Sequence, residues 1–365
     1  MKVPYTKAKV TSSDIDAVNN SVRHGWGSKC YDDLHAFESN FANYIGTKYA
    51  VATSSATGAL HLGLHALGIG QSDEVILADI NWVATVAPIV HLGATPVFID
   101  IDPKTWCIDT SKVVNAITPK TRAVIATHIY GNLCDIDALR EVCANNNIYL
   151  IEDSAEAIGS YINHKHAGSF GEFGYFSFHG TKTITSGEGG AFVTNDEKLY
   201  NKIRELNNHG RHIDEDRQFF ANEIGYKFRM SNMQAALVNS QLQRIDTIVE
   251  QKRSILEFYK EQLLPNVDIV MNPNQLGCET GAWMPTVVFS ERSGIRRDQI
   301  IEHCKKNGID ARTFFWPLSQ LPPFKLKPEN KISYSISSRA INLPSYLDIS
   351  KDEMKFVADT LKRLL

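Results

Sequence analysis

Lys182 stands in unusual company for a lysine. The run Phe176-Ser177-Phe178-His179-Gly180-Thr181-Lys182-Thr183-Ile184-Thr185-Ser186-Gly187-Glu188-Gly189-Gly190 carries only Glu188 as a second formal charge, after an aromatic lead-in of Phe173, Tyr175, Phe176 and Phe178. An amine flanked by small hydroxyl residues and backed by aromatic rings can be held partly out of water. Desolvation lowers its pKa and suits it to act as a nucleophile or general base. The same pattern also fits a lysine that ends a buried strand and snorkels to solvent. It is not a P-loop, because no glycine directly precedes Lys182 and the glycine five residues before that position is missing. Asp153 lies 29 residues earlier, where the apolar run Ile148-Tyr149-Leu150-Ile151 ends. A carboxylate leaving a buried strand needs a partner, and a cation would supply it; a helix N-cap is the alternative use. Ser54-Ser55-Ala56-Thr57-Gly58 joins an apolar strand to an apolar helix. Small residues there leave backbone N–H groups open at a helix N-terminus, which is an anion cradle or a plain cap. Trp82 adds an aromatic face at the start of a further helical run.

These groups need a scaffold. From Tyr49-Ala50-Val51-Ala52-Thr53 onward, short apolar strands alternate with helices as far as Ile151: strands over 74–78, 96–100, 123–127 and 148–151, helices over 59–67, 82–92, 111–117 and 135–146. Near-continuous apolar strands between helices predict a mostly parallel sheet covered on both faces, whose ligands sit at the carboxyl ends of the strands. Asp153 stands at such an end. A strand over 191–194, a helix over 198–207 and a long helix over 234–263 follow, after which the order changes to a smaller α+β pattern. We therefore expect a large α/β domain over residues 1–250 and a small C-terminal α+β domain over 251–365.

Composition excludes several classes. A formal charge of −3 gives no reason to expect nucleic acid or an anionic membrane as partner. The six cysteines are scattered without a Cys-x-x-Cys pair, and His61 and His65, though four apart, lie on an apolar helix with no cysteine near, so no metal site is expected. Free thiols, the lack of an apolar leader and the lack of a membrane-length run point to a cytoplasmic protein. No Gly-x-Gly-x-x-Gly follows a strand, which argues against an NAD-linked oxidoreductase.

A strand-end carboxylate, an anion cradle, a sequestered lysine and an aromatic face are together what pyridoxal phosphate requires: a partner for its ring nitrogen, a seat for its phosphate, an amine for its aldehyde and a surface against its ring. The chain also resembles the DegT/DnrJ/StrS sugar aminotransferases over essentially its whole length. Gly93-Ala94-Thr95-Pro96-Val97-Phe98, Ile151-Glu152-Asp153, Gly168-Ser169-Phe170-Gly171, Lys182 with Gly187-Glu188-Gly189-Gly190, and Asn342-Leu343-Pro344-Ser345 carry the resemblance. Phe176-Ser177-Phe178 and Arg312-Thr313-Phe314-Phe315-Trp316-Pro317 are most similar to the perosamine synthases of that family, which aminate C4 of a GDP-linked 4-keto-6-deoxy sugar. The resemblance implies fold type I (aspartate aminotransferase-like), pyridoxal 5'-phosphate as cofactor and L-glutamate as amino donor. It also implies a keto sugar nucleotide as acceptor, for surface-polysaccharide amino sugars, and a homodimer with shared sites. By position it implies Lys182 and Asp153 as the catalytic pair. Ser55, Ala56, Thr57 and Ser177 would lie at the phosphate, Trp82 on the ring and Glu156 beside the ring hydroxyl, where many relatives have glutamine. Either Lys227 or Arg229, with the His209–His212 loop, would reach the partner's cofactor. Trp26, Lys29, His128, His179, Arg312, Trp316 and Ser319 are candidate substrate contacts, several in segments that depart from the family pattern. A sugar dehydratase of the same fold would replace the imine lysine with histidine; His179, three residues before Lys182, does not substitute. A non-catalytic cofactor-binding regulator is disfavoured by intact Asp153 and Lys182.

Overall fold

The strands form where the sequence runs apolar. A computed structural model describes all residues, Met1–Leu365. It contains β1 (Tyr49–Thr53), β2 (Glu74–Ala78), β3 (Thr95–Ile99), β4 (Thr121–Thr127), β5 (Tyr149–Asp153), the short β6 (Tyr161–Ile162) and β7 (Lys165–His166), then β8 (Phe173–Ser177) and β9 (Gly190–Thr194). Seven of them make one sheet in the order β1-β9-β8-β5-β4-β2-β3. Neighbours from β8 through β3 pair in parallel. β9 alone is reversed, antiparallel to both β8 and β1. The sheet is thus mixed but mostly parallel, as the alternation predicts.

Side chains on successive strand residues point to opposite faces, so each strand feeds two cores. Val75 and Leu77 join Leu60, Leu64, Phe173 and Phe192 on one face. On the other, Ile76 joins Val124 and Leu150. Phe37 and Phe41, on the helix Asp32–Ile45, meet Phe176 and Phe178 edge-to-face, with centroids 5.1 Å apart for Phe41 and Phe176 and 5.3 Å for Phe37 and Phe178. Each such buried ring contributes roughly 1.5–3 kcal/mol by area alone, so the loop that carries Lys182 leaves a rigid floor.

A second sheet, β10 (Ile269–Met271), β12 (Thr286–Phe289), β14 (Ala340–Asn342) and β13 (Arg312–Thr313) in that order, is antiparallel throughout. β11 (Cys278–Glu279) instead extends the β6–β7 hairpin. The helix Ile245–Leu263 spans residue 250: Ile248 and Val249 pack into the large core, whereas Leu256, Tyr259 and Leu263 pack with Phe289, Ile341 and Val357. The N-terminus joins this second core too, through Val3, which bridges to Ile309.

Three elements differ from the expected ones for local reasons. The long helix over 234–263 is two helices, Asn232–Leu242 and Ile245–Leu263, because Arg244 leaves helical geometry (φ −122°) and donates to buried Asp14 at 2.7 Å. The helix over 82–92 is a 3₁₀ turn, Val83–Thr85, then Ala87–His91, with the N–H-lacking Pro88 at the restart. In the C-terminal α+β part, the run over 311–315, which reads as a strand, forms one only over Arg312–Thr313; past it, the Phe315 N–H donates to Tyr130 Oη at 3.0 Å. No helix is long and apolar enough to cross a membrane.

Candidate active site

β2, β5 and β8 all end at one cleft of about 400 Å³. Asp153 is the last residue of β5. Its Oδ2 accepts from Thr85 Oγ1 at 2.7 Å and from Asn81 Nδ2 at 3.2 Å, and its Oδ1 accepts from the Ala155 N–H at 3.2 Å. The carboxylate is buried to 4% exposure, yet no Lys, Arg or His lies within 4.0 Å of it. Within this chain its partners are dipoles only, and its carboxylate lines the cleft.

Lys182 reaches in from the loop after β8. Its Nζ donates to Glu156 Oε1 at 3.1 Å and sits 3.9 Å from the centre of the Trp283 ring. The Trp283 indole N–H in turn donates to the Thr181 carbonyl at 2.9 Å, next to the lysine it supports. Glu156 Oε2 accepts the Tyr130 N–H at 2.8 Å, an arrangement that holds Tyr130 in left-handed backbone (φ 53°). Burial pushes the Glu156 carboxyl above its ordinary value, although Lys182 and the Tyr130 N–H offset part of that rise.

The third wall is the start of the helix Ala56–Ala66. Ser55 caps it, its Oγ accepting the Gly58 N–H at 3.0 Å, and the first N–H groups have no partner within the helix. Gly190, the first residue of β9, backs directly onto this turn: a Cβ there would lie 2.4 Å from both Ala56 N and Ser55 C. Only glycine lets the strand approach the cradle so closely. Ser177, at the end of β8, completes that corner. Trp82 stands opposite, 59% exposed, its N–H donating to Asn81 Oδ1 at 2.7 Å and its ring 6.2 Å from that of Phe315.

The fold therefore brings Ser55, Ala56, Thr57, Trp82, Asp153 and Glu156 to one cleft, with Ser177, His179 and Lys182. His179 stands at the mouth, its Nε2 3.7 Å from Glu188 Oε1. Other expected residues lie elsewhere. Trp26 is exposed, its indole N–H donating to Val22 O of the preceding helix (2.6 Å), and Lys29 is also away from the cleft. Arg229 lies over the Tyr31 ring at 4.7 Å, and neither it nor exposed Lys227 lines the cleft of its own chain. Arg312 pairs with Asp310 at 3.0 Å, and Trp316 packs 3.6 Å from the Arg297 guanidinium.

Two expectations are corrected outright. His128 does not face substrate: it is fully buried, its Nε2 3.1 Å from Glu152 Oε2 and its Nδ1 accepting the Cys134 N–H at 3.2 Å. Glu152 requires it, for although burial opposes ionisation, His128 and the N–H groups of Gly168 and Gly171 hold that carboxyl below its ordinary value. Ser319 is likewise buried, donating its N–H and hydroxyl to Asp79 at 2.8 and 2.7 Å. Conversely, Tyr5, Asn81, Thr85, Trp283 and Phe315 line the cleft without a sequence signal that singles them out.

The residues present fit pyridoxal phosphate. A cation-free buried carboxylate suits a protonated ring nitrogen, the Ser55 turn suits the phosphate, and Lys182 lines the same cleft. This constellation at the carboxyl end of a mostly parallel sheet defines a pyridoxal phosphate enzyme of fold type I. Residues 8–362 match the DegT/DnrJ/EryC1/StrS aminotransferase family, and the chain belongs to it. The GDP-perosamine synthase of Vibrio cholerae is 36% identical over 99% of this chain and 98% of its own length, and that of Escherichia coli O157:H7 is 34% identical over 98% and 97%. Among solved structures, Streptococcus pneumoniae Spr1654 in its PLP form superposes with a TM-score of 0.93 at 26% identity, covering 100% of this chain and 98% of its own. S. venezuelae DesV superposes with a TM-score of 0.91 at 28% identity, covering 99% and 98%. The protein is a PLP-dependent sugar aminotransferase.

Proposed function

We propose that this enzyme moves an amino group from L-glutamate to C4 of a GDP-linked 4-keto-6-deoxy sugar, producing an amino sugar for surface polysaccharide. The observation that carries the reading is the grip on Lys182: one amine held between Glu156 and the Trp283 ring, in the same cleft as a buried carboxylate with no cation of its own. The GDP-perosamine synthases at 34–36% identity support this acceptor.

Bound pyridoxal phosphate supplies the electron sink that lets an amino group leave one carbon for another. The chain's residues do the rest. The Lys182 amine holds the cofactor and then carries the proton at the substrate carbon, with Glu156 and Trp283 keeping it in place when free. Asp153, fixed by Thr85, Asn81 and the Ala155 N–H, is placed to partner the ring nitrogen. Ala56 and Thr57 direct N–H groups, and Ser55 and Ser177 hydroxyls, toward the phosphate. Trp82 covers the ring and, with Phe315, narrows the water path. We further read the active form as a homodimer. The segment over 209–229 carries Lys227, Arg229 and the exposed Phe219 (95%) and Ile224 (89%) away from its own cleft, which supports delivery of one of these cations to the partner's cofactor. Six free cysteines support a reducing, cytoplasmic setting.

The test is spectroscopic. Adding L-glutamate to the PLP-loaded protein discharges the cofactor absorbance in wild type, and the keto sugar nucleotide restores it; Lys182→Ala does neither. A wild-type protein that binds PLP yet ignores L-glutamate would refute the donor, and one that accepts L-glutamate but no GDP-linked keto sugar would refute the acceptor.

A further inference from the structure

Two parts of the proposed cofactor site meet in one side chain. Asn81 follows β2 by three residues and is 6% exposed. Its carbonyl oxygen accepts the Trp82 N–H at 2.7 Å, while its amide nitrogen donates to Asp153 Oδ2 at 3.2 Å. The same nitrogen lies 2.8 Å from both Thr85 Oγ1 and Thr127 Oγ1. Thr85 Oγ1 donates its single proton to Asp153 Oδ2 at 2.7 Å, so toward Asn81 it acts as acceptor. The network shares the amide's two hydrogens among three acceptors, the hydroxyls of Thr85 and Thr127 and the Asp153 carboxylate, so Asn81 reaches Asp153 both directly and through Thr85. It also reads the amide orientation, because a flipped Asn81 would set an NH2 against the Trp82 N–H and an oxygen against Asp153.

We propose that Asn81 is a positioning residue that couples the ring-stacking Trp82 to the ring-nitrogen partner Asp153, setting the gap into which the cofactor ring fits. Trp82 is 59% exposed and its ring stands 6.2 Å from that of Phe315 at 32°, while its backbone N–H is held by Asn81, so the Asn81 side chain fixes the backbone from which that ring projects. Asp153 has no cation of the chain beside it, so the Asn81 and Thr85 donors set its direction. The proposal rests on the reading that Asp153 and Trp82 serve the cofactor ring.

The experiment compares wild type with Asn81→Asp and Asn81→Ala by titrating each apoprotein with PLP, melting each apoprotein, and measuring kcat and KM for L-glutamate. Asn81→Asp keeps the shape and the acceptor for Trp82 but replaces the donor with a second carboxylate against Asp153. Losing one donor to a buried charge weakens PLP by about tenfold or more. We expect that loss in both variants, with kcat falling and KM for L-glutamate changing little, and with the Asn81→Asp apoprotein melting below wild type because two buried carboxylates then face each other. PLP affinity equal to wild type in both variants would overturn the inference. So would an Asn81→Asp protein that matches wild type while Asn81→Ala fails, since that pattern means packing alone. The PLP titration decides the matter whether or not L-glutamate is the donor; a wild type that bound no PLP would overturn both this inference and the reading beneath it.

Discussion

Gly190→Ala tests the geometry of the phosphate seat with one methyl group. The added carbon would lie 2.4 Å from Ala56 N, 2.4 Å from Ser55 C and 2.7 Å from Ser55 O. All three are backbone atoms, so no rotamer change relieves the contact. Bringing them to ordinary van der Waals separation requires about 1 Å of movement between β9 and the start of the helix Ala56–Ala66. β9 is pinned on both sides, since Gly190 pairs with Thr53 of β1 and with Ser177 of β8. The helix start must therefore yield, carrying away the N–H groups aimed at the phosphate. Losing one charge-assisted hydrogen bond is worth about 1.5–3 kcal/mol, or a tenfold to hundredfold weaker hold on PLP. Overpacking costs the apoprotein a further 1–3 kcal/mol or so. Gly180→Ala, in the loop between β8 and β9, is the control, because its Cβ would find nothing closer than the Gly187 carbonyl oxygen at 3.8 Å. Titration of each apoprotein with PLP, followed by absorbance, reads the difference. A Gly190→Ala protein that binds PLP as tightly as wild type would refute the assignment of this turn as the phosphate seat.

Two further expectations concern buried titratable groups away from the cleft. Lys252 is fully enclosed, bonded only to the carbonyl and hydroxyl oxygens of Ser345, and burial lowers its pKa from 10.5 to about 7. The unfolded chain holds more protons between those two values, so stability rises as pH climbs from about 7 toward 10.5. Lys252→Met should abolish that slope and raise the melting temperature most at or below pH 7, as apoprotein melts across pH would record; a slope unchanged by the substitution would count against it. His166 behaves in the same sense at lower pH. It is enclosed, its Nε2 accepts the Gly159 N–H at 3.0 Å, and burial lowers its pKa from 6.5 to about 4. Stability is therefore lost as pH falls from 6.5 to 4. His166→Phe should start lower, having lost its hydrogen bonds, but lose less over that range; urea melts at several pH values measure this.

The sheet is legible in the sequence because β2 to β5 are apolar runs punctuated by helices, and a buried parallel strand leaves little other pattern. Most of the cleft is legible for the same reason: Asp153 and Ser177 end strands, while Ser55, Ala56, Thr57 and Trp82 follow them closely. Trp283, Phe315 and Tyr5 are not legible, because they arrive from the C-terminal unit and the extreme N-terminus, and local spacing carries no information about that approach. Asn81 and Thr85 read as ordinary helix-start residues until Asp153 is placed beside them. His128 and Ser319 mislead in the opposite direction. Their chemistry is that of site residues, but each is claimed by a buried acid, Glu152 or Asp79, whose enclosure depends on contacts remote in sequence.

The pairing of Val3 with Ile309 has a consequence for how the enzyme is made. Tyr5, two residues on, lines the cleft, as does Phe315. Val3 and Ile309 therefore meet only after residues 4 to 309 have been made. At about 5–20 residues per second, roughly 15–60 s separate the emergence of Val3 from that of its partner. Throughout that interval the ribosome holds a chain whose large sheet can assemble while its cofactor cleft stays open on one side. The closure that buries Val3 thus also brings Tyr5 and Phe315 to the wall of the cleft.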